Sequence, residues 1–425
     1  LNEAPNTEGF SPRIAYVFIQ FPKITETFNL REMLQIEKYG ARLDMFSLIE
    51  PGRRAVVHPE ARDLARRTRY SPWFFSKDLL RANLHYLFRS PGRYLKLLAR
   101  LLSGSASQPV TLAKTLAIFP KCVFFSYEAG RLGLDHIHAT FASHNATCAM
   151  VISALTGIDY SFTIDAYDLF VETALLRLKI RRARFLTTIS RFNTRVISER
   201  YGQAGLKGAH VIYRGIDLDR YKPPSPPRHR APEDPFEIVC VASLQEKKGH
   251  VFLLRALARL RDQGRRMTCV LVGNGPLRKR LESEVQGLKL GGVVTFTGDR
   301  TQEEVIARLQ RADCFVLPSI ITRGNRMEGI PNAMMEAMAC ELAVIGTSIS
   351  GLPELVEPEK TGLLVPPEDD AALASALARL QDDPELGRRL GRAGREKVAE
   401  DFNLDINIMK LWRLYQTAVL DSETG

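Results

Sequence analysis

The chain has 425 residues, 45% hydrophobic and 25% charged, with a formal net charge of +11. That length and balance exclude a disordered or fibrous polymer and make two globular domains the natural expectation. No apolar run reads as long enough to span a bilayer, no secretory signal leads the chain, and the polar residues 1–12 read as a loose terminus.

Arg13 to Ile19 (RIAYVFI) is β-branched, aromatic and apolar, as expected of a buried first strand. Phe21-Pro22-Lys23 breaks it, and Thr25 is placed to cap a helix that ends near Tyr39-Gly40. Arg42 to Leu48 follows as a second strand, so the chain opens as a Rossmann-like half. In open α/β sheets ligands bind beyond the carboxyl ends of the strands, which places the loop FPKITETF, with Thr25, Glu26 and Thr27, toward a cleft.

Next comes a basic stretch. From Arg53 to Arg100 there are 12 Lys/Arg against 3 Asp/Glu, a balance of 12 − 3 = +9. Tyr70, Trp73, Phe74, Phe75, Tyr86, Phe88 and Tyr94 are interleaved with those charges. Basic charge and aromatics on helices (about Pro59 to Leu102) suit the surface of an anionic membrane; a solvated helical insertion is the plain alternative. No nucleic-acid-binding motif accompanies the charge.

Leu134 to Phe141 (LDHIHATF) reads as a strand and its exit loop, with His136 and His138 alternating with apolar residues. His144-Asn145 then precedes a helix to about Thr156, and DYSFTIDAYD, which contains Asp165 and ends in Asp168, follows. Arg184 to Ser190 and Ala209 to Tyr213 read as the last strands of this half, flanking a helix from Arg191 to about Tyr201. Pro223, Pro224, Pro226, Pro227, Pro232 and Pro235 exclude helix or central strand, which makes residues 221–235 a linker between domains 1–220 and 236–400.

The second half starts with the strand Phe236 to Ala242 and passes through Lys248-Gly249. Thr268 to Gly273 is a strand ending in Gly273-Asn274-Gly275-Pro276, a turn that lets a flat base approach the backbone. Strands at Val293 to Gly298, Asp313 to Pro318, Leu342 to Gly346 and Thr361 to Val365 complete a sheet. Between two of them lies MEGIPNAMMEAMA, Met327 to Ala339. Pro331 suits the first turn of a helix, leaving Glu328 and Gly329 in a loop and Glu336 inside the helix. Free amides at such a start favour a phosphate, and carboxylates accept hydrogen bonds from vicinal hydroxyls. Together these are the parts of a nucleotide-sugar site. Cys122, Cys148, Cys240, Cys269, Cys314 and Cys340 form no Cys-x-x-Cys pair and fit free thiols in a reducing cytoplasm. No His/Cys cluster has metal spacing.

The Glu328-x7-Glu336 pattern, continued by IGTSISGLPELVEPEKTGLLVPPEDDAALASAL (Ile345 to Leu377), closely resembles the signature of the retaining GT-B glycosyltransferases of family 4. The loop FPKITETF resembles the branch acting in bacterial exopolysaccharide and colanic-acid-type assembly. The resemblance implies an α/β fold of two Rossmann-like domains facing a central cleft, with residues 401–425 crossing back toward the first domain. It implies transfer of a hexosyl group from a UDP- or GDP-sugar to a hydroxyl, with anomeric retention, no metal and no cofactor beyond the donor. Lys248 would meet the diphosphate. Glu328 would hold the donor sugar, Glu336 the ribose, and the amides of Gly329, Ile330, Pro331 and Asn332 would lie near the sugar or phosphate, although proline has no N–H to give. Gly273, Asn274 and Gly275 would flank the base, and Thr25, Glu26 and Thr27 the acceptor. His138 falls where the family has its His-x-His-Phe, and would line the reacting centre with Asp165.

Two positions depart from the family pattern. Asp165 stands where relatives carry a histidine, and Ser243 where they carry an arginine of the diphosphate clamp. Arg326, or Arg323, is a candidate to supply that missing charge. The departures keep a non-catalytic nucleotide-sugar binder or scaffold as an alternative, beside an epimerase on the same fold. A lipid-linked or saccharide acceptor fits the basic insertion, with the protein cytoplasmic and peripheral on the inner face of the membrane.

Overall fold

The computed structural model describes residues 10–423 except 24–25, 53–58, 107, 203–204, 207, 227–229 and 232. Contacts divide the chain into two units: residues 1–189, 193–212 and 408–425, and residues 190–192 and 213–407. The division falls after Ile212, earlier than the Arg220 expected from the proline tract, and most of that tract belongs to the second unit.

The first unit runs β1 (Arg13–Gln20), α1 (Thr27–Lys38), β2 (Arg42–Ile49), α2 (Arg62–Arg67), β3 (Thr68–Tyr70), α3 (Lys77–Arg89), α4 (Pro91–Ser105), α5 (Pro109–Leu132), β4 (His136–Ala139), α6 (His144–Thr156), β5 (Tyr160–Ile164), α7 (Ala166–Phe170), α8 (Leu176–Arg182), β6 (Phe185–Thr188), α9 (Arg191–Tyr201) and β7 (Ala209–Val211). Among the described residues, seven strands form one sheet in the order β3-β2-β1-β4-β5-β6-β7, and every pairing is parallel. The order reverses between β1 and β4, and such a switch point opens a crevice beyond the carboxyl ends of the strands.

The second unit continues β8 (Phe236–Val241), α10 (His250–Asp262), β9 (Met267–Val272), α11 (Arg278–Gly287), β10 (Val294–Gly298), α12 (Gln302–Arg311), β11 (Cys314–Leu317), α13 (Asn332–Ala339), β12 (Ala343–Thr347), α14 (Leu352–Leu355), β13 (Leu363–Val365), α15 (Asp370–Asp382) and α16 (Pro384–Asp401). The last helix, α17 (Leu404–Glu423), starts in this unit and belongs to the first from Ile408 on. Here, among the described residues, six parallel strands take the order β10-β9-β8-β11-β12-β13, with the switch point between β8 and β11.

Local chemistry explains many boundaries. Thr301 and Glu304 close a capping box on α12, each side chain accepting from the other's backbone N–H, at 3.3 and 2.8 Å. Pro331 occupies the cap position of α13, whose buried Met334, Met335 and Met338 seat it in the core. Thr25 lies outside the described residues, and α1 begins at Thr27 with Glu26 as its cap.

Three expectations are corrected. Residues 68–70, inside the basic stretch, form a third strand rather than helix, because they pair with Met45, Phe46 and Ser47 of β2. Secondly, α5 is long and apolar enough, by length and composition, to cross a membrane. It nevertheless packs on α3, α4 and α6, and Tyr86 of α3 donates to its Ser126 carbonyl at 3.1 Å. The third concerns His138. All four residues of β4 are buried, so both faces of the strand are covered, and His136 and His138, which share one face, point into the protein. Within the first unit, Tyr415 of α17 meets Tyr16 of β1, their hydroxyls 2.9 Å apart, and lies against the His138 ring.

Candidate functional site

In the second unit the loops after β8 and β11 meet at the switch point. The chain leaves β8 through Ser243, makes one 3-10 turn over Glu246–Lys248, and enters α10 through Gly249. Gly249 has φ +69°, and a Cβ there would lie 1.8 Å from the Pro318 carbonyl oxygen. Only glycine lets the two loops approach this closely. Ile320 N–H donates to the Lys247 carbonyl at 2.9 Å, which ties the loops together.

That junction places three side chains. Lys247 Nζ lies 2.6 Å from Glu328 Oε1, and Lys248 Nζ lies 2.8 Å from Oε2. Burial alone would raise the Glu328 pKa, but the ammonium groups of Lys248 and Lys247 outweigh it and hold the carboxyl below its ordinary value. Two cations on one carboxylate leave one positive charge in excess, in a place where desolvation strengthens its field. Gly329 to Asn332 lead from Glu328 directly into the start of α13, with Ile330 and Pro331 buried. Glu336 is half-buried one turn further along that helix.

The turn after β9 completes this end of the sheet. Gly273 has φ +126°, and a Cβ there would lie 2.3 Å from the Ala242 carbonyl oxygen. Asn274 accepts from Leu244 N–H at 2.9 Å, and its side chain accepts from Gly275 N–H at 2.9 Å. The turn is thereby locked to the strand exit that carries the lysines.

Lys247 is the second cation, a residue not expected here from the family resemblance. Its signal was the doublet Lys247-Lys248 immediately before a glycine. Arg326, the expected source of charge, has an exposed side chain; its backbone forms a turn with Thr322, donating to Oγ1 at 3.2 Å and accepting from Thr322 N–H at 3.0 Å. Arg323 is likewise exposed.

The first unit has a pocket of about 320 Å³ at its own switch point, lined in part by Lys23, Glu26, Asn145, Asp165, Asp168 and Glu172. Glu26 pairs with Lys23 at 2.8 Å and accepts from Asn29 Nδ2 at 3.1 Å. Asp165 caps the short α7, and the Asp168 carboxylate accepts from Asp165 N–H at 3.0 Å and Ala142 N–H at 3.2 Å. Burial, then the neighbouring Asp165, pushes the Asp168 pKa up to about 7. Lys179 is buried beneath, donating to the Ala142 and Ser143 carbonyls at 2.7 and 2.8 Å. Burial lowers its pKa to about 8, against the pull of Asp168 and Glu172. Glu172 meets His144 Nδ1 at 2.8 Å, a hydrogen bond that lowers the glutamate pKa against the effect of burial. Thr27 stands half-buried at the start of α1.

His138 does not line this pocket. Its Nδ1 lies 2.9 Å from Ser161 Oγ and its Nε2 lies 3.2 Å from Thr163 Oγ1. Burial, aided by the nearby His136, lowers its pKa to about 3, so the ring is neutral near pH 7. Among the expected first-unit residues, the structure therefore brings Glu26 and Asp165 to one pocket and puts His138 in the core.

Residues 222–397 match the family model described as glycosyl transferases group 1. The colanic acid biosynthesis glycosyltransferase WcaL of Escherichia coli is 42% identical over 208 residues, 48% of this chain and 50% of that protein. The amylovoran biosynthesis glycosyltransferase AmsK of Erwinia amylovora is 38% identical over 177 residues, 42% of this chain and 44% of that protein. The GDP-mannose-dependent alpha-(1-6)-phosphatidylinositol monomannoside mannosyltransferase of Mycobacterium tuberculosis is 32% identical over 245 residues, 55% and 63%. The chain thus spans about half the length of the first two of these curated relatives. Among solved structures, sucrose-phosphate synthase from Thermosynechococcus elongatus superimposes with TM-score 0.71 at 21% identity, covering 97% of this chain and 100% of that one. Anabaena HepE in complex with UDP gives TM-score 0.71 at 15% identity, covering 95% and 100%. The fold is that of the GT-B glycosyltransferases.

Proposed function

We propose that this chain is a glycosyltransferase that moves a hexosyl group from a UDP- or GDP-sugar to a hydroxyl of a saccharide or lipid-linked acceptor in exopolysaccharide assembly, with retention of configuration. The observation that carries the reading is the grip of Lys247 and Lys248 on Glu328 at the switch point of the second unit. The two ammonium groups would neutralise the diphosphate as it leaves, and the Gly329 and Asn332 amides at the start of α13 would assist. Glu328 would orient both lysines and accept from donor-sugar hydroxyls, and Glu336 would accept from the ribose. Asp165 and Glu26 would receive hydroxyls of the acceptor. In the reaction the bond between the anomeric carbon and the diphosphate oxygen breaks, the acceptor oxygen bonds to that carbon, and the hydroxyl proton departs with the diphosphate. The lysines take the part a divalent cation would play, so turnover should persist in a chelator.

Support for the donor class comes from HepE, solved with UDP and UDP-glucose, and from the relative named for GDP-mannose. The colanic acid and amylovoran relatives support the acceptor class. We place the protein in the cytoplasm, where six buried free thiols stay reduced. Incubating it with labelled UDP- and GDP-sugars and a membrane extract tests the reading. Label entering the lipid or polymer fraction is expected. An isomerised donor would make it an epimerase instead, and binding without turnover a non-catalytic binder.

A further inference from the structure

The seven aromatics of the basic stretch divide into two groups. Tyr86 is buried, and Tyr70 and Tyr94 are half-buried. Trp73, Phe74, Phe75 and Phe88 are exposed, Trp73 at 88% and Phe75 at 102% of a fully accessible residue. Helix α3 is apolar on two faces. Leu79, Ala82 and Tyr86 face the protein, whereas Leu80, Leu84 and Phe88, spaced i, i+4 and i+8 along one outer stripe, are exposed at 60%, 39% and 77%. An amphipathic helix of a globular protein normally keeps one apolar face.

The aromatic loop is held in shape. Ser71 N–H donates to the Ser47 carbonyl at 3.0 Å and its hydroxyl donates to the Leu48 carbonyl at 2.8 Å, fixing the base of the loop on β2. Ser76 N–H donates to the Trp73 carbonyl at 3.0 Å, and Ser76 Oγ caps α3 by accepting from Leu79 N–H at 3.1 Å. Lys121 Nζ stands over the Phe74 ring at 5.2 Å. Exposed aromatics on such a frame are presented to something outside the unit.

Charge indicates what that is. Residues 71–100 hold Lys77, Arg81, Arg89, Arg93, Lys96 and Arg100 against Asp78 alone, a balance of 6 − 1 = +5, and all six cations are exposed. The core of a protein interface is depleted in lysine. Exposed tryptophan, phenylalanine and leucine interspersed with Lys and Arg match the boundary between lipid headgroups and acyl chains of an anionic bilayer. We propose that the Trp73–Phe75 loop and the Leu80/Leu84/Phe88 stripe of α3 dock this protein on an anionic phospholipid surface. The docking surface lies entirely in the first unit and needs no nucleotide, so its failure and that of the transferase reading are separable.

The test is flotation of the full chain, without nucleotide, on vesicles of phosphatidylglycerol and phosphatidylcholine in equal parts and on phosphatidylcholine alone. Binding to the anionic vesicles only, weakened by salt, is expected. The double variant Trp73→Ser/Phe75→Ser should lower partition at least about tenfold, because it removes the inserted apolar area. Its melting temperature should not change, since both side chains are exposed. Equal binding to both vesicle types, no binding, or a variant that binds as the wild type does would overturn the proposal. So would a dimer, seen by light scattering, that the double variant dissolves while neither protein floats; the face would then join two copies of the chain.

Discussion

Lys248 Nζ stands 2.8 Å from Glu328 Oε2, joining the loop after β8 to the loop after β11. The pair has a built-in imbalance, because Lys247 approaches the other oxygen of the same carboxylate. A site with one surplus cation is prepared for an anion before any ligand arrives.

Lys247→Ala should therefore weaken UDP or GDP binding about tenfold, the loss of one charge-assisted hydrogen bond of about 1.5 kcal/mol. The nucleoside diphosphate concentration that raises the melting temperature measures it. Arg326→Ala should change binding less than Lys247→Ala does. The reverse order would return the clamp to the arginine loop.

Glu328→Gln should abolish transfer and cost about 1–3 kcal/mol at pH 7, because it leaves two ammonium groups without their counter-charge. The folded pKa of Glu328 is depressed, so its contribution is fully present above the unfolded value and is lost as pH falls through the folded one. The stability gap between wild type and Glu328→Gln should accordingly narrow below about pH 4. Urea unfolding at pH 7 and in mild acid reads it, and a gap that widens in acid would contradict the pairing.

His138→Ala should destabilise the first unit by about 2–4 kcal/mol, through a cavity and the lost partners of Ser161 and Thr163. Any activity lost should track unfolding. If the variant were as stable as wild type yet transferred no sugar, the histidine would belong to the reacting centre after all.

Asp168 supplies a pH signature of opposite sign. Its folded pKa of about 7 lies above the ordinary carboxyl value, so the folded state holds a proton that the unfolded state has released. Stability from this group is present below the unfolded pKa and falls as pH rises from about 4 to about 7. Asp168→Asn should remove that slope, and relative to wild type it should gain about 3 kcal/mol between pH 4 and pH 7. Thermal unfolding of both proteins across that window decides it; parallel curves would place an ionised carboxylate at 168.

Gly249→Ala should cost more than 1 kcal/mol and weaken nucleotide binding as well, since the methyl group forces Pro318 away and loosens the junction that holds Lys247. A variant that kept full stability and affinity would show that the close approach is dispensable.

Much of this was legible in the chain. The periodicity of Arg13–Ile19 or Phe236–Ala242 and the proline before α13 are local features. Neighbouring residues set backbone preference without reference to the rest of the molecule, so strands, helix starts and the Glu328–Glu336 spacing could be read directly. Local pattern also carries the resemblance to the family 4 signature. Three matters needed the tertiary structure: which cation meets Glu328, whether His138 faces a ligand or the core, and which aromatics of the basic stretch turn outward. Each depends on segments far apart in sequence, brought together where strand order reverses or where α3, α5 and α17 pack. A side chain's partners and solvent are fixed by that packing, and alternation along one strand is the same whether one face of the sheet is covered or both.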